Sequence, residues 1–246
     1  MNGSEPRAGG DPQFQTTHWS LVLKACQSDT STAATALNKL CQTYWYPIYA
    51  FIRRQGHEPE DCRDLTQEFF ANLLQKDFFL AADRERGRLR SFLLASVKNF
   101  LGHQREKARA QKRGGEYSFV SLDATEAEGN YAHEPANPLS PEQLYERRWA
   151  LTVLEQTFAC LKNEYDRAGK ANLFEVLQPS LSGDKAGGSY AEMGAKLNLT
   201  EGAARVAAHR LRSRYSELLR VQVAGTVASP EEVEEELAAL QAALRI

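Results

Sequence analysis

The sequence predicts an all-α fold, and two observations support that prediction. First, apolar residues recur at three- and four-residue steps along most of the 246 residues, which is the period of an amphipathic helix. Second, no segment shows the alternation of apolar and polar residues that a half-buried strand requires. Hydrophobic residues make up 42% of the chain and charged residues 25%, a composition that is typical of folded globular proteins and excludes wholesale disorder.

The predicted helices begin after a polar, flexible arm at residues 1–16. This arm has no apolar run of the kind found in signal peptides, and no stretch of the chain is long and apolar enough to span a membrane. We therefore expect a cytoplasmic protein without membrane insertion. Thr17 can cap a first helix, and Thr30 or Ser31 can cap a second. Pro59 then opens a third, with acidic residues beside the positive end of the helix dipole.

This third helix and the helix that follows it each show one apolar stripe at helical spacing, which predicts that each buries a single face. The two helices complete a first domain at residues 17–113. The stripe residues are Cys62, Leu65, Phe69 and Leu73 in the third helix, and Leu89, Phe92, Leu93, Val97, Phe100 and Leu101 in the next.

Residues 114–139 lack a helical period and contain glycine, asparagine and two prolines, so we expect an acidic, extended, flexible linker. A connection of this length is unusual inside one compact domain, and it therefore predicts two domains. The second domain, at residues 140–220, opens with Ser140 as a cap and Pro141 in the first turn. The core stripe of its first helix is Leu151, Leu154, Phe158, Leu161 and Tyr165.

An acidic helical tail is expected at residues 221–246. Ser229 is a candidate cap, followed by a proline and glutamates in the first turn. A helix of about 15 residues is marginal on its own, so we expect this one to dock on the second domain. There it either completes the core or lets its glutamates screen the arginines of the last long helix. Its apolar stripe is Val233, Leu237, Leu240 and Leu244.

The formal net charge of −2 hides blocks of alternating sign. Residues 84–113 carry ten Arg or Lys and two Glu, whereas residues 114–146 carry seven acidic residues and no basic one. Residues 200–220 carry five Arg and two Glu, and the chain after Val221 carries five Glu and one Arg. Such blocks predict two anion-facing surfaces and two acidic segments.

Residues 189–220 have the pattern of a helix-turn-helix. A helix with small residues ends near Leu197, a short connection follows, and Thr200 can cap a second helix. The second helix has an apolar face of small and large residues, and its opposite face offers forked donors for phosphate or guanine and one methyl-bearing side chain for thymine. An amphipathic helix with solvated arginines shows the same pattern. The apolar face is Ala204, Ala208, Leu211, Tyr215 and Leu218, and the opposite face is Arg205, Val206, His209 and Ser213, flanked by Arg210, Arg212 and Arg214.

The segments DLTQEFFANLLQKDFF and GGSYAEMGAKLNLTEGAARVAAHRLRSRYSELLR resemble regions two and four of bacterial RNA polymerase sigma factors. The chain is most similar to the small two-domain extracytoplasmic-function (ECF) class, over roughly residues 17–112 and 140–220. The resemblance implies a non-enzymatic promoter-specificity subunit whose partners are core RNA polymerase and promoter DNA. An anti-sigma factor is a further partner that the sequence leaves open.

The resemblance also implies roles for individual residues. The positions matching the polymerase-docking helix are Asp64, Gln67 and Glu68. The positions matching the −10 element surface are Arg90, Phe92, Lys98, Asn99, Arg105, Arg109 and Lys112, where Phe92 replaces a common Trp and Lys112 is expected to anchor phosphate. The positions matching the −35 surface are Thr200, Arg205, Val206, His209, Arg210 and Arg212. Ala203 and Ala204 replace a common Thr-Val pair, so the promoter sequence does not carry over.

No catalytic or metal-binding pattern stands out, and we expect no cofactor. The five histidines are scattered, and the four cysteines (Cys26, Cys41, Cys62 and Cys160) form no CxxC pair and are expected to be small buried hydrophobic residues. Two functions of other kinds remain open. One is a stand-alone helix-turn-helix regulator that acts without polymerase, and the other is a helical adaptor that binds proteins and no DNA.

Overall fold

The computed structural model describes residues 31–73, 88–110, 124–132, 139–182, 188–227 and 229–245. These ranges are helical and contain no strand, which confirms the predicted all-α class for this part of the chain. The helices expected from Thr17 and the arm before it lie outside the described residues. The elements are α1 (Ser31–Arg54), α2 (Pro59–Leu73), α3 (Leu89–Ala110), α4 (Ala124–Ala132), α5 (Pro141–Arg167), α6 (Ala171–Leu177), a 3-10 helix (Gln178–Ser182), α7 (Tyr190–Leu197), α8 (Glu201–Ala224) and α9 (Glu232–Leu244).

The chain divides into two compact units. Unit 1 draws on Met1–Leu151 and Ala224–Ile246, and unit 2 is Thr152–Val223. The boundaries therefore fall inside α5 and near the end of α8. This division differs from the predicted one, in which the second domain starts at residue 140 and the tail docks on that domain.

The core of unit 1 contains the apolar stripes that the sequence predicts for α2 and α3. Cys62, Phe69 and Leu73 are buried along α2, and α3 buries four of its six stripe residues, Phe92 and Phe100 being half-buried. α1 packs against α2 and contributes large side chains, because nearly every turn of its second half carries an aromatic or branched residue. The buried residues of α1 include Leu40, Tyr44, Ile48, Tyr49, Phe51 and Ile52.

The segment that the sequence predicts to be an extended linker contains the helix α4. Ala127 is buried, and the carboxylate of Glu128 accepts a hydrogen bond of 2.6 Å from the Tyr49 hydroxyl and one of 3.1 Å from Arg53. Burial would raise the pKa of Glu128, but these hydrogen bonds outweigh it and hold the pKa below its usual value. The expectation of an extended segment is therefore wrong for residues 124–132, because Glu128 finds specific partners on α1.

α9 belongs to unit 1 and not, as expected, to the second domain. It buries Val233, Leu240 and Ala243, and it also buries the carboxylate-bearing residue Glu236 completely. The helix starts at Glu232 without a side-chain cap, so the predicted Ser229 cap does not form. A tail that was expected to dock on the second domain, either completing its core or screening its arginines, instead supplies one wall of the unit 1 core.

The core of unit 2 joins α5, α6, α7 and α8. The cap predicted at Ser140, which lies just before this helix set, forms, since the Gln143 amide donates to the Ser140 hydroxyl at 3.1 Å. Pro179 ends α6, and the chain continues as the 3-10 helix. The buried residues are Leu161, Phe174, Leu177, Met193, Ala204, Ala208 and Leu211, with Phe158 and Tyr165 packed against them.

Candidate nucleic-acid interface

The predicted helix-turn-helix is formed by α7 and α8, and α7 begins with a reciprocal cap. The Glu192 amide donates to the Ser189 hydroxyl at 3.2 Å, and the Ser189 amide donates to the Glu192 carboxylate at 3.2 Å. Two backbone donors at the start of the helix are thereby satisfied. The cap therefore fixes where α7 begins.

The turn between α7 and α8 requires a residue without a side chain at position 194. A Cβ atom on Gly194 would lie 2.7 Å from the Leu199 carbonyl oxygen, which belongs to the backbone and cannot rotate away. Asn198 takes the left-handed conformation with φ 55° and ψ 39°, which asparagine tolerates better than most residues. The Thr200 hydroxyl then accepts the Ala203 amide at 3.2 Å and caps α8, as predicted.

The two predicted faces of α8 are confirmed. Ala204, Ala208 and Leu211 are buried in the unit 2 core, and Tyr215 and Leu218 pack against it. On the opposite side the side chains are exposed, and Val206 exposes 51% of its surface, which is a large fraction for an apolar residue. The exposed residues of this face are Arg205, Val206, His209, Arg210 and Ser213.

Tyr190 on α7 orients two of the predicted DNA contacts, which the sequence patterns do not reveal. Its hydroxyl accepts a hydrogen bond of 3.1 Å from Arg212, and the guanidinium of Arg205 lies over its ring at 5.6 Å from the centroid. Arg205 also pairs with Glu201 at 2.7 Å one turn earlier on α8. The signal for Glu201 is visible in the sequence as an i,i+4 acid-base pair, whereas the Tyr190 contacts depend on how α7 crosses α8.

Arg214, which the sequence places beside the candidate DNA face, is held by acidic partners. Its guanidinium donates to both carboxylate oxygens of Glu164, at 2.7 and 2.9 Å, and it pairs with Glu217 at 2.8 Å. The hydrogen bonds from Arg214 lower the pKa of Glu164. Arg214 therefore links α8 to α5 through its hydrogen bonds with Glu164.

The candidate polymerase-docking residues of unit 1 lie on the solvent side of α2. Asp64 and Glu68 are exposed, and Gln67 is half-buried. Asp64 pairs with the adjacent Arg63 at 3.3 Å, and the Gln104 amide of α3 donates to Glu68. A shallow groove between α2 and α3 is lined by Asp64 and Glu68 on one side and by Gln104 and Arg105 on the other. The structure thus brings two of the predicted docking residues, Asp64 and Glu68, to the same groove as one predicted −10 residue, Arg105.

The candidate −10 residues of α3 have different surroundings. Lys98 pairs with Glu142 at 2.7 Å, and the hydrogen bond from this lysine is the main reason that the pKa of Glu142 is lowered. Arg105 donates to the Gln55 amide oxygen at 2.8 Å, and Asn99 is exposed. Phe92 is half-buried in the α3 stripe. Lys112 and the side chain of Arg109 lie outside the described residues.

Arg90 is a correction to the predicted set, because only 6% of its surface is exposed. Its guanidinium donates to the Glu236 carboxylate of α9 at 2.6 Å and also pairs with Glu146 of α5. It lies over the ring of Trp149, at 4.8 Å from the centroid. Arg90 is therefore a buried structural cation and is not available to a DNA strand in this arrangement.

The groups around Arg90 form a closed ionic cluster. Arg88 pairs with Glu236 at 3.1 Å and with the exposed Glu235 at 2.9 Å. The Tyr145 hydroxyl donates to the Arg90 carbonyl oxygen at 2.9 Å. Burial raises the pKa of the Glu146 carboxyl, and the charge of Arg90 opposes that rise. We call Arg88, Arg90, Glu146 and Glu236 the buried ionic cluster of unit 1.

Other functional sites are not indicated by the described part of the chain. There, no group of three or more His, Cys, Asp or Glu side chains is placed to hold a metal ion. The described cysteines Cys41, Cys62 and Cys160 are free, and Cys62 is buried as predicted while the other two are half-buried. Within the same ranges, every helix is too short or too polar to cross a bilayer.

Comparison of the chain with protein-family models, with curated proteins and with solved structures finds no match. The resemblance to sigma factors accordingly rests on the motifs of the sequence alone. Independently of any family, the structure shows a capped helix pair, α7 and α8. The second of these helices exposes cations and one apolar side chain to solvent.

Proposed function

We propose that this protein is a DNA-binding specificity subunit of RNA polymerase, a sigma factor of the ECF class, with no catalytic activity of its own. The observation that carries the proposal is the solvent face of α8, where Arg205, Val206, His209 and Arg210 are exposed together on a helix whose other face is fixed in a core. A helix presented in this way has the dimensions that the major groove of DNA admits.

The chemistry of this face suits duplex DNA. An arginine fork can donate two hydrogen bonds to guanine, and the branched methyl groups of Val206 suit the thymine methyl group. Because Thr200 caps α8 and Gly194 lets the turn close tightly, the backbone of α8 is held in place and the face is presented from fixed backbone positions.

The polymerase part of the proposal is supported by α2. Its surface carries Asp64 and Glu68, two exposed carboxylates on adjacent turns that make a poor DNA surface and a suitable protein-binding one. These are also the positions at which the sequence resembles the polymerase-docking helix of sigma factors. The two lines of support are separate, since one is exposure in the structure and the other is a motif.

The decisive experiment is run-off transcription on fragmented genomic DNA with this protein and purified core RNA polymerase. A sigma factor directs discrete transcripts that are absent when core polymerase is used alone. A stand-alone regulator binds duplex DNA and yields no such transcripts, and a helical adaptor does neither. Either of the last two results would overturn the proposal.

A charge-reversal pair tests the docking surface separately. Asp64→Arg with Glu68→Arg is expected to abolish co-elution with core polymerase, because it reverses two exposed charges without touching the core. The matched control is Glu58→Arg with Glu60→Arg, which makes the same change of charge at exposed positions at the start of α2. Equal co-elution of the two variants would show that the docking assignment is wrong.

A further inference from the structure

Beside the candidate DNA face of α8 lies a concave surface that the helix-turn-helix pattern does not include. Lys170 and Leu173, at the start of α6, line one side of it. Val206 and Arg210 of α8 line the other side. Val206 and Arg210 thus belong both to the candidate DNA face and to this surface, which extends that face beyond α7 and α8.

Two cations at this surface have no acidic partner among the described residues. Each of the other arginines of α8 makes a hydrogen bond, an ion pair or another interaction with a described group. Arg210, in contrast, makes no side-chain hydrogen bond or ion pair with any described residue. The same is true of the Lys170 side chain, and both residues are exposed. Uncompensated positive charge on both sides of an apolar patch favours an anionic partner.

The backbone at Lys170 is fixed. Gly169 has φ +67°, a conformation that suits glycine, and it turns the chain after α5. The Lys170 amide then donates to the Tyr165 carbonyl oxygen at 2.8 Å, and the Lys170 carbonyl accepts the Phe174 amide at 3.1 Å. The lysine is therefore presented from a defined point on unit 2, so its charge stays beside α8.

The α8 side of the surface is left open by Gly202. A Cβ atom there would meet nothing within 4 Å, and its φ is not positive, so the fold of this chain does not require glycine. Glycine in a helix costs roughly 1 kcal/mol relative to alanine. Its presence keeps the surface accessible to a close approach by another molecule.

We propose that Lys170 is a DNA contact outside the helix-turn-helix and that, together with Arg210, it binds the sugar-phosphate backbone of the duplex whose bases α8 contacts. The inference rests on the proposed function and adds to it a contact with the DNA backbone by a residue outside α7 and α8. Lysine suits this role because it acts as a point charge toward phosphate, and the apolar side chains between the two cations suit the deoxyribose. Each phosphate contact is expected to release condensed counterions and to contribute to affinity without regard to sequence.

The test is the salt dependence of binding of the full chain to a short duplex DNA of random sequence. For Lys170→Ala, the slope of log K against log salt is expected to fall by about one, and for Lys170→Ala with Arg210→Ala by about two. The matched control is Lys162→Ala, an exposed lysine of unit 2 that does not line the surface, and it should leave the slope unchanged. Thermal unfolding of all three variants should match the wild type, because the side chains are exposed.

The outcomes separate this inference from the function on which it rests. If the wild type binds and Lys170→Ala behaves as Lys162→Ala does, the inference is wrong and the proposed function stands. If the free chain does not bind, the same variants are measured in complex with core polymerase on a promoter recovered by run-off transcription. If no promoter can be recovered in that way, both the inference and the proposed function are overturned. Loss of binding to a glutamate-rich peptide in Lys170→Ala, with DNA binding unchanged, would assign the surface to an acidic protein instead.

Discussion

Two sets of arginines, one in each unit, have opposite surroundings although the sequence presents them alike. Arg88 and Arg90 at the start of α3 face three carboxylates, and Arg90 is 6% exposed. Arg205 and Arg210 on α8 are exposed, and among the described residues only Arg205 has an acidic partner, one turn away. Both sets lie in basic stretches, and the sequence predicts DNA contacts for Arg90, Arg205 and Arg210.

The difference lies in where the carboxylates come from. Arg90 is paired with residues that are 56 and 146 positions away, Glu146 and Glu236, so local charge counting cannot detect the pairing. The partner of Arg205 is four positions away and leaves the arginine exposed. A basic stretch is therefore a candidate nucleic-acid surface only where no acidic element from elsewhere in the chain packs against it. The tail helix α9 is such an acidic element for Arg88 and Arg90.

Removal of α9 tests the unit 1 side of this comparison most strongly. Truncation after Gly225 deletes the apolar residues that α9 buries, together with Glu236 and the Thr226 carbonyl that accepts the Leu89 amide at 3.2 Å. We expect unit 1 to lose roughly 5 kcal/mol or more of its free energy of unfolding. Tryptophan fluorescence during chemical denaturation reports on this core, because the described tryptophans, Trp45 and Trp149, are both buried in unit 1. An unchanged midpoint would mean that α9 does not complete this core.

A single substitution inside the buried ionic cluster has the next largest effect. Glu236→Gln leaves Arg90 buried with part of its compensating charge missing, so we expect a loss of about 3–5 kcal/mol. Glu235→Gln is the matched control, since Glu235 pairs with Arg88 but its side chain is 71% exposed. It should cost less than about 1 kcal/mol. Similar losses in the two variants would break the distinction between buried and exposed pairs.

A substitution in the turn that orients α8 tests the unit 2 side of the comparison. Gly194→Ala forces a Cβ against the Leu199 carbonyl and is expected to cost about 1–3 kcal/mol and to weaken duplex binding. Gly202→Ala, also within the helix-turn-helix, meets no atom and should stabilise the protein by up to about 1 kcal/mol. Calorimetric unfolding of the two variants checks both signs. A gain in stability for Gly194→Ala would show that the turn has more room than the structure allows.

Substitution of an exposed arginine is expected to have the smallest effect on stability. Arg205→Ala removes an exposed pair with Glu201 and should change the free energy of unfolding by less than about 0.5 kcal/mol. If Arg205 contacts a base as proposed, the same variant loses about 1–3 kcal/mol of discrimination at one −35 position. Affinities for a set of single-base promoter variants measure this. A uniform loss across all of them would make Arg205 a phosphate contact instead.

Much of unit 2 is predictable from the sequence because its determinants are local. The Thr200 cap and the small residues of α7 lie within a few positions of the elements that they shape. The alternation of apolar and charged residues along α8 likewise predicts which face is buried, since a helix fixes the direction of each side chain relative to its neighbours. Tyr190 is the exception, because its contacts with two arginines depend on the packing of one helix on another.

Unit 1 is less predictable because long-range contacts decide its surface. The lack of helical period at residues 114–139 suggested a linker, but one carboxylate, Glu128, finds a tyrosine and an arginine on α1 and fixes a helix there. The Glu-rich tail likewise has an apolar stripe, but the stripe alone does not determine whether the helix packs on unit 1 or on unit 2. Pairing between elements far apart in sequence is the information that neither helical period nor charge counting contains.

The discontinuity of unit 1 has a consequence for the order in which the protein is made. A ribosome releases residues 152–223 before it has made residues 224–246, so unit 2 has all of its residues while unit 1 still lacks α9. Domains usually fold in the order of synthesis, but here residues 224–246, which are made after unit 2, complete unit 1. A nascent or prematurely terminated chain would therefore hold Arg88 and Arg90 without Glu235 and Glu236, with the apolar surface beneath α9 uncovered. Such a chain presents the features by which chaperones and proteases distinguish unfinished proteins from finished ones.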